Sequence, residues 1–335
     1  MSQFRFWFIL QQDVDRPVGG VKQIYTVASI ISGLGYSVCI VQGTSDFRPS
    51  WFPATELNFR TIGNQGFSFD KLNPLLDVVI IPETFLPLLP RLSHLKVIIF
   101  NQNMHYLFGE RINLDPSFVI RAYSSPNIIA VWTVSATDYS YALDLLPVPS
   151  YRIHRIVNAI DEKLFNFGFS TNKSIAYMTR KNSSHSRVVL ELIRSQAWFK
   201  NSGWSFTPIV NKSLSEVSAI LSDSSIFLSF GYPEGFGLPL AEAIVSGCMV
   251  VGYDGIGGTE ISDLCKPFDV FASIPFRDFH SFAKGVQKAA TSYDSSVSLK
   301  LRARLLQAAK LTSFRYSTES MVNSVNEAIE SIVLS

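Results

Sequence analysis

Short apolar runs, each followed by a longer segment with helical spacing, recur along the whole chain. In the first half, strand-like runs lie at Phe4–Leu10, Ser37–Val41, Val78–Ile81, Val97–Phe100 and Ile128–Val134. In the second half, they lie at Ser174–Met178, Ser205–Ile209, Ser225–Phe230, Met249–Tyr253 and Val270–Phe271. Strands that alternate with helices form parallel βαβ units, because parallel neighbours need a crossover connection. The sequence therefore predicts an α/β protein with two Rossmann-like domains.

The composition is that of a folded protein with an ordinary charge balance. The chain has 335 residues, of which 47% are hydrophobic and 17% are charged, so it can bury two cores. Its net charge is +2 and no run of Lys and Arg is present, so we expect no nucleic-acid partner. No uncharged apolar stretch reaches the roughly 18 residues of a membrane-spanning helix.

The three cysteines indicate neither a disulfide framework nor a zinc site. Cys39, Cys248 and Cys265 lie far apart and outside any Cys/His cluster. Phe4–Leu10 is short, contains Arg5 and lacks a small-residue cleavage site, so it fits a first strand better than a signal peptide. A cytoplasmic location is therefore expected.

Two carboxylates, Glu234 and Glu242, lie on either side of a glycine-rich turn that leads into an amphipathic helical pattern. Gly235 and Gly237 let the backbone approach a ligand closely, and Pro239 suits the first turn of a helix that begins there. A helix N-terminus attracts a diphosphate, whereas a carboxylate repels it, so the two acids should face sugar hydroxyls. The spacing sets a loop acid apart from a first-turn helical acid, which suits the hexose and the ribose of one sugar nucleotide.

This region resembles the retaining GT-B glycosyltransferases of the glycosyltransferase family 4 type. The resemblance starts at the predicted strand Ser225–Phe230 and continues through Gly231–Gly258. It includes the two glutamates, the apolar helix face, the Ser246–Cys248 turn and the strand that follows. The segment Leu146–Phe167 is similar to the interdomain link of that family, with Val157 where proline is common.

The resemblance implies a GT-B fold, in which two Rossmann-like domains face each other across a cleft. It implies an N-terminal acceptor domain at residues 1–155 and a C-terminal nucleotide-sugar donor domain at residues 156–312. The last segment has apolar residues at helical spacing from Phe314 onward, so it should bury one face as a helix. The resemblance implies that this helix, within residues 313–335, crosses back to the N-terminal domain.

The resemblance also implies an activity. It is the transfer of a hexose-type sugar, with retained anomeric configuration, from a nucleotide diphosphate-sugar donor to a glycan, lipid-linked or other acceptor. No metal or other cofactor is implied. Glu234 would bind and orient the donor sugar, and Glu242 would bind the ribose. Other residues implied to contact the donor are Gly235, Phe236, Gly237, Leu238, Gly257, Gly258 and, near the nucleobase, Asn211.

Two cations follow the predicted strand that ends at Met178. Arg180 and Lys181 would face the ligand there, because ligands of open α/β sheets bind beyond the carboxyl ends of the strands. They could hold the diphosphate and stabilise the charge that it gains as the glycosidic bond breaks. Arg187 is the alternative to Lys181 as the second cation that binds the diphosphate. If Arg180 and Lys181 have no functional role, they form a solvated surface charge cluster.

Near the N-terminus, Gly19 and Gly20 precede a helical pattern that starts at Gln23. Their amides could cradle the donor phosphate or contact the acceptor, and a purely structural turn is the alternative. The Asp-x-Asp triplet formed by Asp13 and Asp15 lies just before them. We interpret both acids as loop residues rather than as metal ligands.

Three further residues follow strands of the first half. His105 could position a sugar hydroxyl as a catalytic-site residue, or it could be an ordinary residue of the rim. Glu83 is a similar candidate. Ser135 is interpreted as the cap of the following helix, although it also resembles a serine of the family.

Two alternatives to a transferase stay open. A non-catalytic sugar-nucleotide-binding subunit is one, because Thr179 replaces the usual glycine and the sequence around His105 departs from the family. A sugar-nucleotide epimerase of similar fold is the other. A lipid-linked acceptor would bring the chain to the inner face of a membrane, but no basic amphipathic helix stands out in the sequence.

Overall fold

The computed structural model describes residues 4–10, 13–16, 18–53, 56–62, 67–108, 113–294 and 298–334. The chain divides into two compact units. Unit 1 comprises Met1–Asn158 together with Met321–Ser335, and unit 2 comprises Ala159–Ser320. The first boundary follows Asn158, three residues beyond the expected position 155. The second follows Ser320, eight residues beyond the expected position 312.

Unit 1 is built on a parallel sheet of seven strands in the order β3-β2-β1-β4-β5-β6-β7. The strands are β1 (Arg5–Ile9), β2 (Ser37–Gln42), β3 (Asn58–Thr61), β4 (Asp77–Pro82), β5 (Lys96–Asn101), β6 (Ile128–Thr133) and β7 (Ile153–Arg155). The helices of this unit are α1 (Gly19–Gly33), α2 (Pro116–Tyr123), α3 (Ala136–Leu145) and most of α11 (Thr318–Val333). The central strands are buried on both faces, which explains their continuous apolar runs.

The connection from β4 to β5 is a 3₁₀ segment, Glu83–Leu92, rather than an α-helix. Pro87 and Pro90 lie inside it. Proline has no N–H to donate and its ring clashes with the preceding turn, so an α-helical ladder cannot form there. The leucines at 86, 89 and 92 are nevertheless buried against the sheet.

Helix α11 completes unit 1. Its buried face consists of Met321, Val325, Ala328, Ile329 and Ile332. Its hydroxyls reach the end of the sheet: Ser324 Oγ accepts a hydrogen bond from Val157 N at 3.0 Å, and Ser331 Oγ lies 3.1 Å from Nε2 of His154 in β7. The prediction that Phe314 belongs to this buried stripe is wrong. Phe314 lies in the preceding helix and is 79% exposed.

Unit 2 contains a parallel sheet of five strands in the order β12-β11-β10-β8-β9. The strands are β8 (Ser174–Met178), β9 (Ser205–Ile209), β10 (Ile226–Ser229), β11 (Met249–Gly252) and β12 (Phe271–Ser273). The helices are α4 (Ser183–Ser195), α5 (Ala197–Lys200), α6 (Leu214–Asp223), α7 (Leu238–Val245), α8 (Thr259–Cys265), α9 (Phe279–Asp294) and α10 (Ser298–Arg315). Each of the ten strand-like runs of the sequence overlaps one of the strands, so the α/β prediction is confirmed.

The strand order of unit 2 creates a crevice. After β8 the chain moves outward to β9, and it then returns to form β10 on the other side of β8. At such a switch point the connections leave in opposite directions, which opens a space beyond the carboxyl ends of the two strands. In the described part of the chain, every helix is too short or too polar to cross a bilayer.

Candidate functional site

A small pocket lies at the switch point of unit 2. It is bounded by the end of β8, the end of β10 and the start of α7. Among the residues that line it are Arg180, Lys181, Glu234, Gly237 and Leu240. The structure thus brings together both predicted cations, one predicted carboxylate and part of the glycine-rich loop.

Glu234 is held by both cations. Its Oε2 lies 2.9 Å from Lys181 Nζ, and its Oε1 lies 3.7 Å from Arg180 Nη2. Lys181 also donates to the carbonyl oxygen of Pro233. The side chains of Lys181 and Glu234 are only 14% and 18% exposed, whereas that of Arg180 is 59% exposed. The charge of Lys181 is therefore balanced by Glu234 within the protein, and Arg180 is the more exposed of the two cations that line the pocket.

Asn182 joins the two loops that carry these charges. Its φ of +51° is in the left-handed region, which asparagine tolerates better than most residues. Its side-chain amide donates to the carbonyl oxygens of Phe230 at 2.8 Å and Tyr232 at 2.9 Å. Sequence reasoning did not select Asn182. The available signal was an asparagine placed between a strand and a helix.

Glycines make room for Glu234. A Cβ at Gly231 would lie 2.9 Å from Glu234 Oε1, and a Cβ at Gly255 would lie 2.8 Å from Glu234 Cβ. The backbone of Glu234 is paired with the same loop, because its N donates to Gly255 O at 2.7 Å and its O accepts from Gly257 N at 3.0 Å. Gly257 and Gly258 are buried, and Gly258 precedes the first residue of α8.

Helix α7 begins at Leu238 rather than at Pro239, so Glu242 lies in its second turn and not in its first. The reason is Gly237, whose φ of +88° lets the chain turn into the helix one residue earlier than predicted. Glu242 is 6% exposed.

The remaining donor candidates of unit 2 differ in exposure. Phe236 is 3% exposed, and its ring packs edge-on against Tyr316 with centroids 4.9 Å apart. Gly235 is buried beside it, and Leu238 is partly exposed. Asn211 follows β9 in an exposed position with a φ of +52°. Phe236 therefore anchors the loop to the core, and its backbone rather than its ring is available to a ligand.

In unit 1, Gly19 and Gly20 are the first two residues of α1, not a turn before it. The helix starts earlier than predicted because the glycines take up ordinary helical geometry after Val18. Their position follows β1, next to the strand-order switch between β1 and β4. Gly20 O accepts a hydrogen bond from Gln102 Nε2 at 3.0 Å.

His105 lies in a 3₁₀ segment, Met104–Phe108, after β5. Its backbone N donates to Asn103 Oδ1 at 3.1 Å, and its ring packs edge-on against Tyr141 at 5.4 Å between centroids. Glu83 is 1% exposed and accepts from Gln102 N at 2.9 Å. Both residues belong to unit 1. Unit 2 contains the two predicted cations and the two predicted carboxylates of the donor site, Arg180, Lys181, Glu234 and Glu242.

Three other polar residues of unit 1 have structural partners. Ser135 Oγ accepts from Asp138 N at 3.1 Å, so the predicted cap of α3 is confirmed. Asp13 accepts from Thr44 N at 2.5 Å, and Asp15 accepts from Ser50 N at 2.6 Å. Both acids thus hold the loop that follows β2 by accepting hydrogen bonds from its backbone. Within the described residues, no group of three or more His, Cys, Asp or Glu is placed to bind a metal ion.

A known sequence resembles the chain over a short stretch. No protein-family model matches it. An alpha-1,6-glucosyltransferase from Actinobacillus pleuropneumoniae serotype 7 is 35% identical over 81 residues, which is 24% of this chain and 24% of that protein. The match therefore spans about a quarter of the relative's length.

Solved structures resemble the chain over its full length. Sucrose-phosphate synthase from Thermosynechococcus elongatus has a TM-score of 0.73 at 11% identity, covering 99% of this chain and 100% of that one. HepE from Anabaena, in complex with UDP and glucose, has a TM-score of 0.69 at 13% identity, with 98% and 100% covered. A glycosyltransferase from Rickettsia africae has a TM-score of 0.66 at 13% identity, with 99% of each chain covered. The protein has the GT-B fold, with one parallel α/β sheet in each unit.

Proposed function

We propose that this protein is a retaining glycosyltransferase that moves a hexose-type sugar from a nucleotide diphosphate-sugar to a glycan, lipid-linked or other acceptor. The observation that carries the proposal is the pocket of unit 2, where Glu234 lies between Arg180 and Lys181 at the switch point of the sheet. The complex of HepE with UDP and glucose and the local match to a glucosyltransferase support the same class of donor.

Each charged residue of the pocket has a distinct task in this proposal. Arg180 reaches the ligand and binds the diphosphate, because its guanidinium is the exposed cation. Glu234 accepts hydrogen bonds from hydroxyls of the donor sugar, and Lys181 holds its carboxylate in place. Glu242 binds the ribose. Gly257 and Gly258 let a second loop approach the donor closely.

The reaction follows from these tasks. The bond between the anomeric carbon and the diphosphate breaks, and a bond from the acceptor oxygen to the same carbon forms on the same face. The acceptor hydroxyl gives its proton to the departing diphosphate. Arg180 stabilises the negative charge that develops on that group, so we propose no metal ion for this step. In unit 1, His105 would position a sugar hydroxyl, and the amides of Gly19 and Gly20 at the α1 N-terminus would bind a phosphate or the acceptor.

Calorimetry with UDP-, GDP-, ADP- and dTDP-sugars, with and without a divalent ion, tests the donor site. We expect one nucleotide class to bind without the ion, and we expect Glu242→Gln to weaken binding by about tenfold or more, as for a lost hydrogen bond to a charged group. Glu191→Gln is the matched control, because Glu191 is an exposed glutamate of α4 in the same unit. Unchanged affinity in Glu242→Gln would contradict the ribose assignment.

A transfer assay tests the chemistry. With the bound donor and a panel of glycan and lipid-linked acceptors, NMR of the product should show the anomeric configuration of the donor. Glu234→Gln should reduce turnover by about a hundredfold, because a preorganised electrostatic contact to the reacting sugar is lost. Donor binding without transfer to any acceptor would instead favour a non-catalytic sugar-nucleotide-binding subunit.

A further inference from the structure

Helix α10 is unusually rich in positive charge. In its 18 residues it contains five cations and no acid. The cations are Lys300, Arg302, Arg304, Lys310 and Arg315. The next helix, α11, has the opposite composition, with three glutamates and no cation. Positive charge is therefore concentrated on α10.

Large apolar side chains accompany these cations on the solvent side. Leu299 and Phe314 are each 79% exposed, and Leu311 is 39% exposed. The opposite side of the helix is core, since Leu301 and Leu305 are 1% and 0% exposed. The helix thus already buries one apolar face, and its exposed apolar residues are additional to that face.

The exposed residues form one stripe. At about 100° per residue, Leu299, Lys310 and Phe314 lie within about 60° of one another around the axis. Leu299 and Phe314 are about 22 Å apart along the axis, with Lys310 between them. Lys300 and Leu311 lie just beside this stripe. A flat surface parallel to the axis could therefore contact apolar and cationic groups together.

Within the described residues, one acid that faces α10 is shared with a cation of another helix. Asp269 lies 3.3 Å from Arg304 Nη1, but it also lies 3.8 Å from Lys288 Nζ, so one carboxylate is shared between two cations. Glu319 in the first turn of α11 is the acid nearest in sequence to Arg315. The stripe itself contains one cation, Lys310, together with the apolar Leu299 and Phe314, and a second cation, Lys300, lies beside it.

We propose that the exposed face of α10 docks on the surface of an anionic lipid bilayer. The cations match the negative headgroups, each contributing to binding, and Phe314, Leu299 and Leu311 can enter the boundary between headgroups and acyl chains. A soluble polyanion would match the cations but would gain nothing from apolar side chains that are 79% exposed. The sequence pattern places Phe314 in the buried face of the last helix, so it does not indicate the exposed position that this residue has in α10.

Vesicle co-sedimentation of the full chain tests the docking without any sugar transfer. We expect binding to vesicles of phosphatidylcholine mixed with phosphatidylglycerol, little binding to phosphatidylcholine alone, and a decrease with added salt. Lys310→Gln and Arg315→Gln should each lower the partition coefficient by about fivefold. Phe314→Ser should lower it further. In Phe314→Trp, the fluorescence of the new tryptophan should shift to the blue when anionic vesicles are added.

Matched variants elsewhere serve as controls. Arg194→Gln removes an exposed cation of α4 in unit 2, and Leu75→Ser removes an apolar side chain that is 74% exposed in unit 1. Both should bind vesicles like the unchanged chain. Equal binding to neutral vesicles, or equal loss in the controls, would overturn the proposal. So would a dimer that Phe314→Ser abolishes without vesicle binding, or tight binding of an oligonucleotide that Phe314→Ser leaves unchanged.

Discussion

Arg180 and Lys181 are adjacent in sequence but differ in what surrounds them. Lys181 donates into the protein, to Glu234 and to the carbonyl oxygen of Pro233, and its side chain is 14% exposed. Arg180 is 59% exposed and lies 3.7 Å from the same carboxylate. Adjacent side chains at a strand end point in different directions, so a sequence that shows two cations does not show which one faces a ligand.

Replacement of each cation by methionine should separate these roles. Lys181→Met should lower the free energy of unfolding by about 1–3 kcal/mol, because Glu234 loses a short charged hydrogen bond in a largely buried place. Arg180→Met should change stability by less than about 0.5 kcal/mol, as expected for an exposed side chain, but weaken nucleotide-sugar binding by about tenfold or more. Urea unfolding and calorimetry measure the two effects. A loss of stability in Arg180→Met, together with a loss of binding in Lys181→Met, would contradict this division of roles.

The glycines near Glu234 offer a test that needs no ligand. A Cβ at Gly257 would lie 2.0 Å from Gly235 O, a backbone atom that cannot rotate away. We expect Gly257→Ala to destabilise the protein by about 1–3 kcal/mol. Gly33, at the end of α1, has no atom within 4 Å of such a Cβ, so Gly33→Ala should be neutral or stabilise by about 0.4–1 kcal/mol. Thermal unfolding that shows equal effects would contradict the close packing of the two loops.

Among the secondary-structure elements, the buried strands were predictable, whereas the two edge strands of unit 1, β3 and β7, were not. The run at Val78–Ile81 is continuously apolar because β4 is buried on both faces. By contrast, β7 has three residues, Ile153–Arg155, and only the first is fully buried. This segment is a strand because it pairs with β6, and the local sequence pattern does not predict that pairing or its register.

His154 couples the contact between β7 and α11 to pH. Burial lowers the pKa of its imidazole below the ordinary value of about 6.5. Its protonated form is thus favoured in the unfolded chain, so stability should be full above pH ~6.5 and should fall as the pH drops toward the lowered pKa of the folded state. The slope attributable to this residue can reach about 1.4 kcal/mol per pH unit.

Urea unfolding at a series of pH values measures this slope. His154→Gln should reduce the loss of stability on acidification, whereas His94→Gln, at an exposed position of the same unit, should not. If both variants keep the full pH dependence, other groups control it, and the contact between His154 and Ser331 is not sensitive to protonation.

The two units allow a further prediction about where a donor acts. A ligand that binds only unit 2 stabilises that unit, by about 2.7 kcal/mol at a hundredfold excess over its Kd. Hydrogen exchange should therefore slow in β8 and β10 when a bound nucleotide-sugar is added, with smaller changes in β1 and β4. Equal protection of all four strands would mean that the donor also engages unit 1, as expected if Gly19 and Gly20 bind its phosphate.

The sequence predicts which residues form the site better than it predicts how they are arranged. Glu234, Arg180 and the glycine-rich loop are recognisable because unusual residue types occur at strand ends. The contact between Lys181 and Glu234 spans 53 positions, and the bonds from Asn182 to Phe230 and Tyr232 span 48 and 50. Such long-range pairs depend on the order of strands in the sheet, which local patterns do not specify. The helix start at Gly237 likewise follows from a backbone angle.

Unit 1 is discontinuous in the chain, since α11 joins it only after all of unit 2. During synthesis, residues 159–320 must therefore emerge from the ribosome before the last helix can reach β7. Until then, the nascent chain carries a nearly finished sheet whose outer strand and neighbouring apolar residues lack their cover. A cell that makes this protein must tolerate that unfinished intermediate for the whole time of translation of the second unit.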